Sequence, residues 1–327
     1  MYKIFYIIVG LCLTILGCTK EKPTEEINGV PLTISPQLKY VNTKAIIDES
    51  TIRLDSIRIQ VANESSGGPY SADAFSILRF SSPNWILSKS LYLTLDNAQI
   101  YAYAPCPADP STIESGELAN LQIKLDIPAI QRMSDQTDYL YAFQQYKTKD
   151  VMTKINSKNP TVELALRHAL TQVAFVFYEI DYLGAGNISS VKIKDISASS
   201  FRINSTLGDD LVMKVKDGSI TGGDFTNEIQ VTNIDSTIRL TSKPLTTDVF
   251  ELAKEVNAYL LLTPVTINQE DIEFTFNIDG RDYVSTLGTT GSLNWQMGYQ
   301  YIYTVKLEGT ALVIQSVTVI PWTSTFK

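Results

Sequence analysis

The sequence predicts an all-β fold of the β-sandwich kind, and three observations carry that prediction. Short runs that alternate apolar and polar residues recur along the chain, with Gly, Pro, Asn and Asp between them. Ile278-Asp279-Gly280-Arg281 sets Asp-Gly between two such runs, the strongest short-range signal of a hairpin. The stretch from Leu293 to Trp322 reads as two adjacent strands joined by a turn at Glu308-Gly309-Thr310. At 327 residues the chain has room for one large domain or two ordinary ones, and a two-sheet core is well within reach.

The first residues carry their own signal. Met1-Tyr2-Lys3 is a short positive segment, and Ile4 to Ile15 is an apolar run too short to span a bilayer as a mature helix. Ile15-Leu16-Gly17-Cys18 closes the run in the manner of a bacterial lipobox, so residues 1–17 read as a lipoprotein signal peptide and Cys18 as its acylated product. An ordinary signal peptide containing a cysteine is the alternative. Each buried CH₂ contributes roughly 0.8 kcal/mol, and several chains on one residue anchor firmly. Cys12 leaves with the signal, so Cys106 is the one thiol left over, and it has no internal partner for a disulfide. Cys106 sits in the proline-rich turn Ala104-Pro105-Cys106-Pro107 with no neighbouring His, the setting of a structural thiol rather than a nucleophile. Residues 18–29 are charged and nearly without large apolar side chains, which makes them a flexible tether.

Val30, Leu32 and Ile34 alternate with Pro31, Thr33 and Ser35, and Leu38 and Tyr40 keep the parity. Pro31 and Pro36 give nothing to a ladder, so this strand belongs at a sheet edge and is weakly held. Ile52, Leu54, Ile57, Ile59 and Val61 form a second strand, stopped by Ser65-Ser66-Gly67-Gly68-Pro69. Phe75 to Phe80, Ser90 to Leu95 and Gln99 to Tyr103 repeat the pattern. Ile100-Tyr101-Ala102-Tyr103-Ala104-Pro105 is the most aromatic of these; strand aromatics fill a core more often than they form a sugar-stacking platform. Lys147 to Pro160 is polar and lysine-rich and ends at Asn159-Pro160, which sets the expected domains at 30–158 and 159–327.

Val162, Leu164, Leu166, His168 and Leu170 share one parity, and Val173, Phe175 and Phe177 the other, but Leu166, Leu170, Val173 and Phe177 also fit a helix. Strands follow over Val191 to Ile196, Leu211 to Val215, Glu228 to Val231, Thr237 to Leu240 and Tyr259 to Pro264, and Asp248 to Glu255 is a helical turn or two. Within Leu293 to Trp322, Tyr301, Tyr303, Val305 and Leu307 alternate with polar residues. Beyond the turn, Leu312 and Ile314 take one parity and Val317 and Val319 the other. That slip at Gln315-Ser316 requires a bulge or a passage to a neighbouring sheet.

A net charge of −8 with no basic stripe excludes a nucleic-acid partner. His168 is the sole histidine and lies on an apolar face, the pattern of a satisfied core residue; it supports neither a zinc site nor a Ser-His-Asp triad. With no glycine-rich phosphate loop, framed pair of carboxylates or metal-ligand cluster, no enzyme, cofactor or metal is expected.

Five features in order give the chain a family likeness. They are the lipobox ending at Cys18, the aromatic strand from Ile100 to Pro105, Asp138-Tyr139-Leu140-Tyr141-Ala142, Leu166-Arg167-His168-Ala169-Leu170-Thr171-Gln172-Val173, and Trp295-x-x-Gly298-x-x-Tyr301-x-Tyr303 before a strand ending in Trp322. With these the chain resembles, over nearly its whole length, the fimbrillins, lipoprotein-precursor subunits of type V pili in diderm bacteria. The resemblance implies two tandem transthyretin-like Greek-key β-sandwich domains on an outer-membrane, cell-surface lipoprotein whose partners are other fimbrial subunits. It also implies strand exchange, in which a trypsin-like protease removes the first strand and a neighbour's C-terminal strand fills the groove. Residues 30–38 would be the strand removed, with Lys39, Lys44 and Arg53 as the basic residues available; the family's usual linker Arg is replaced here by Lys44, and Arg53 lies in the second strand. A subunit left uncut would serve where no groove is needed, as an anchor. Residues 311–322, with Leu312, Ile314, Val317, Val319 and Trp322, would be the donor, folded on its own chain before processing and jointed at Gln315-Ser316. The competing expectation is a monomeric surface lipoprotein that binds glycan through exposed aromatics, for which 17 Tyr and 3 Trp supply the rings.

Overall fold

The computed structural model describes residues 29–38, 56–81, 84–106, 118–148, 151–205, 208–234, 240–242, 246–288 and 290–322. The signal peptide, Cys18, Lys39, Lys44, Arg53 and most of the Thr237 to Leu240 strand lie outside these residues. Within them the alternating runs become strands. The first half gives β1 (Thr33–Leu38), β2 (Ser56–Asn63), β3 (Phe75–Ser81), β4 (Asn84–Leu87), β5 (Ala98–Ala104), β6 (Ile130–Arg132) and β7 (Leu140–Gln144). The second gives β8 (Thr161–His168), β9 (Thr171–Ile180), β10 (Ile188–Asp195), β11 (Glu228–Thr232), β12 (Ala258–Leu262), β13 (Ile272–Ile278), β14 (Arg281–Thr286), β15 (Tyr299–Glu308) and β16 (Ala311–Pro321). Shorter strands pair around them, and one α-helix, α1 (Val249–Lys254), stands where helical turns were expected.

Three sheets organise the described residues. The order β1-β8-β7-β5-β2-β3-β4 makes a seven-stranded sheet, β12-β9-β15-β16 a four-stranded one, and β14-β13-β10-β11-β6 a five-stranded one. The four- and five-stranded sheets face each other across a core rich in aromatics, where Phe175 meets Phe274, Phe276 and Tyr303 within 6 Å between ring centres. Along β9, Val173, Phe175 and Phe177 enter that core, while Ala174 and Val176 enter a second one on the other face with Tyr101, Tyr103 and Tyr141 of the seven-stranded sheet. A strand buried on both faces reads as a continuous apolar run, and Val173-Ala174-Phe175-Val176-Phe177 is one. The remaining face of the seven-stranded sheet closes on Leu32, Ile34, Ile57, Ile59, Leu164 and their neighbours.

The helix alternative over Leu166 to Phe177 is settled by the parity change. β8 and β9 are two strands, and the chain turns at Ala169-Leu170 from the seven-stranded sheet into the four-stranded one. The expected boundary at Asn159-Pro160 falls at the entry to β8, and pairing crosses it: β8 pairs with β1 and β7, while β6 pairs with β11. Asp279 and Gly280, with φ of 51° and 77°, close the β13–β14 hairpin in the left-handed conformation that its two-residue turn requires.

Phe175 is fully buried among rings, so Phe175→Ala is expected to cost about 3–5 kcal/mol of unfolding free energy, from the lost transfer and the cavity left behind. The comparison is Val284→Ala, at a residue 57% exposed, which should stay within about 0.5 kcal/mol of the parent. Denaturant midpoints at unchanged m-value measure both.

Candidate functional site

Two edge strands and the side chains that seat them form the candidate site. Among the described residues β1 pairs only with β8, in parallel, from Thr33 opposite Thr161 to Leu38 opposite Leu166. Parallel pairing is slightly weaker per residue, and Pro36, opposite Leu164, withholds a donor. Burial supplies the rest of its hold: Leu32 and Ile34 are buried against the core that Val162, Leu164 and Leu166 line. Val30–Pro31 makes a separate two-residue pairing with Tyr92–Leu93. Without these residues the backbone edge of β8 from 161 to 166 and the apolar surface beside it would lie open.

β16 is the edge of the four-stranded sheet. It runs antiparallel to β15 from Ala311 opposite Glu308 to Pro321 opposite Tyr299, and no strand pairs with its other edge among the described residues. Ser316 opposes Thr304 and Ile314 opposes Val305, so Gln315 is an extra residue, a β-bulge. The parity slip in the sequence is this bulge, and it returns Val317 and Val319 to the face of Ile314. The strand is continuous through 315 and 316, so the slip marks a bulge within one strand and not a break between two.

The two parts of β16 are nevertheless seated differently. Leu312 and Ile314 pack against the aromatic sandwich core. Beyond the bulge Val317 and Val319 are 44% and 49% exposed, and Val313 before it is 48% exposed. Burial resumes at Trp322, which is 3% exposed and enters the core between the sheets with the half-buried Ile320.

The seat of Trp322 is built from three distant segments. Its indole stacks on the His168 ring with centroids 3.9 Å apart and 10° between planes. His168, 4% exposed, is the last residue of β8, and its Nδ1 donates to Asp138 Oδ2 at 2.7 Å. Gly298 joins the pieces: its N–H donates to Leu170 O at 2.8 Å, and its carbonyl accepts from the Trp322 N–H at 2.6 Å. Its φ of 73°, in the left-handed region, accounts for glycine there. Burial first, and the Asp138 carboxylate second, raise the phenol of nearby Tyr259 above its ordinary range.

Of the residues the sequence singled out, the structure seats Leu312, Ile314 and Trp322 and leaves Val317 and Val319 about half exposed. Cys106 is half-buried and forms no disulfide. Tyr101 and Tyr103 lie in the core and offer no stacking platform. Asp138 was legible only as part of an aromatic run; its pairing with His168, thirty residues on, had no local signal.

A family model described as fimbrillin-like matches residues 43–322. The fold is similar to that of a candidate cell adhesion protein from Bacteroides ovatus, with 16% identity over 91% of this chain and 99% of that one and a TM-score of 0.56. It is also similar to a candidate cell adhesion protein from Bacteroides uniformis (15% identity, 90% and 99% covered, TM-score 0.57) and to a fimbrial protein from Bacteroides vulgatus (15% identity, 90% and 99% covered, TM-score 0.53). At these identities the likeness is one of fold. No curated protein sequence matches the chain.

The contrast in seating makes a stability prediction. Ile34→Ala should cost about 2–4 kcal/mol, because it empties a packed site under β1. Val319→Ser, on the exposed part of β16, should change stability by no more than about 0.5 kcal/mol. Equal costs in denaturant unfolding would contradict this account of the two edges.

Proposed function

Because the chain belongs to the fimbrillin-like family, we propose that it is a structural or accessory subunit of a cell-surface fimbria, assembled by strand exchange. In this reading β1 is the strand that leaves, β8 borders the groove it vacates, and β16 of another subunit fills it. Cys18 carries the lipid that holds the precursor at the outer membrane, and cleavage at Lys44, Arg53 or Lys39 frees β1. The subunit does structural work rather than catalysis, and its partners are other fimbrial subunits and the processing protease.

The observation that supports the reading is the pair of edge strands at opposite ends of one chain, one a short parallel strand carrying a proline and the other bearing exposed valines. Strand exchange moves β16 from one seat to another, so only the difference in burial between the seats drives it. Leu312 and Ile314 already pack on their own core and gain little. Val313, Val317 and Val319 are about half exposed, and covering them would add on the order of 1 kcal/mol each. Backbone bonds to the open edge of β8, about 0.5–1.5 kcal/mol net each, supply the rest.

The test uses substitutions that the free subunit tolerates. Val317→Asp with Val319→Asp leaves the isolated protein folded, with its unfolding free energy within about 2–3 kcal/mol of the parent, because both side chains are about half exposed on an edge strand. The same pair should abolish entry into filaments, seen by electron microscopy and by sedimentation of surface polymers. Filaments that incorporate the doubly substituted subunit would overturn strand exchange through β16. N-terminal sequencing of protein from cells tests processing: a start at Cys18 marks an uncut, lipid-held form and a start near Ala45 a polymerising one.

A further inference from the structure

The part of β16 beyond the bulge has one deeply buried side-chain anchor, Trp322, and that anchor rests on the end of β8. Val317 and Val319 contribute little burial, and Thr318 and Ile320 are half-buried. Among the described residues the indole Nε1 meets no acceptor, so beyond the ladder to β15 the stack on His168 and the Trp322 N–H to Gly298 bond hold the end of the strand. His168 in turn is fixed by Asp138 and by the Ala169 N–H, which donates to Tyr139 O at 2.8 Å.

β8 is also the strand on which β1 lies. From Thr161 to Leu166 its ladder partner is β1, and β7 takes over only at Arg167 and His168. The N-terminal strand and the C-terminal tryptophan are thus held by the two ends of one eight-residue strand. We propose that Trp322, seated on the Asp138–His168 pair, is a latch retaining the far part of β16 on its own chain, and that β8 transmits loosening of β1 to this latch. The purpose of the latch rests on the strand-exchange reading: a subunit whose groove is still filled keeps its donor strand closed, and opening the groove releases the donor.

Amide hydrogen exchange on the full-length chain tests it. Trp322→Ala and His168→Ala should each speed exchange at residues 316–321 by about tenfold or more, while 311–314 and β9 stay protected by the sandwich core. His168→Phe, which keeps a ring to stack on but drops the Asp138 bond, should fall between His168→Ala and the parent. Ile34→Ala, which loosens β1 on the far side of β8, should also speed exchange at 316–321, and should add little once His168→Ala is present. Parent-like exchange at 316–321 in Trp322→Ala would overturn the latch, and Trp322→Phe, which keeps a ring in the same core, gives the readout if an alanine variant fails to fold. An effect of Ile34→Ala that is absent, or that adds fully to His168→Ala, would overturn transmission through β8. Failure of strand exchange reads out separately, in filaments that accept the Val317 and Val319 substitutions.

Discussion

The pairing of β8 is the constraint on which the arrangement depends. From 161 to 166 its ladder partner is β1, drawn from the other end of the fold, and two bonds to its other side, Ala165 N–H to Gln144 Oε1 and Glu163 N–H to Lys147 O, only partly replace a second ladder. An apolar strand in that position needs cover, since Val162, Leu164 and Leu166 are among the most buried residues of the chain. A short parallel strand carrying a proline supplies it. Such cover blocks edge-to-edge aggregation, with fewer ladder donors than a strand without proline would bring.

β16 solves the opposite problem. Its inner edge is fully paired with β15, yet among the described residues no strand pairs with its outer edge and three of its valines are about half exposed. The bulge at Gln315 lets one strand do this: before it Leu312 and Ile314 key into the aromatic core, and after it the chain leans toward the core between the sheets, where Trp322 is buried. A strand without the bulge would put Val317 and Val319 on the opposite face from Ile314.

Much of this was legible because it is local. The β13–β14 hairpin follows from Asp279-Gly280, the edge position of β1 from Pro31 and Pro36, and the bulge from a parity slip read directly in Leu312 to Val319. The same locality explains the misses. Periodicity over Leu166 to Phe177 fitted helix and strand alike because a two-residue corner, Ala169-Leu170, joins strands of opposite phase. The structure at Gln315-Ser316 stayed open in the sequence because a slip in parity does not distinguish a bulge inside one strand from a break between two. The exposure of Val317 and Val319 is set by what lies opposite them, and an alternating pattern carries no record of that.

His168 shows how a local reading can be right about a residue and silent about its consequence. An apolar face and a lone imidazole indicate a satisfied core histidine, and a buried Asp138 does satisfy it. The sequence separates His168 from Trp322 by more than a hundred residues, so no spacing rule joins them. What joins them is the corner at Ala169-Leu170, which ends one sheet and begins another and so sets the last side chain of β8 against the face where the four-stranded sheet ends. Gly298 bonds both to that corner and to the Trp322 backbone, and its left-handed φ is what lets the turn before β15 reach both. A single ring at this junction touches elements of both halves. Its orientation, fixed by Asp138, therefore bears on the C-terminal strand as well as on the sheet to which it belongs.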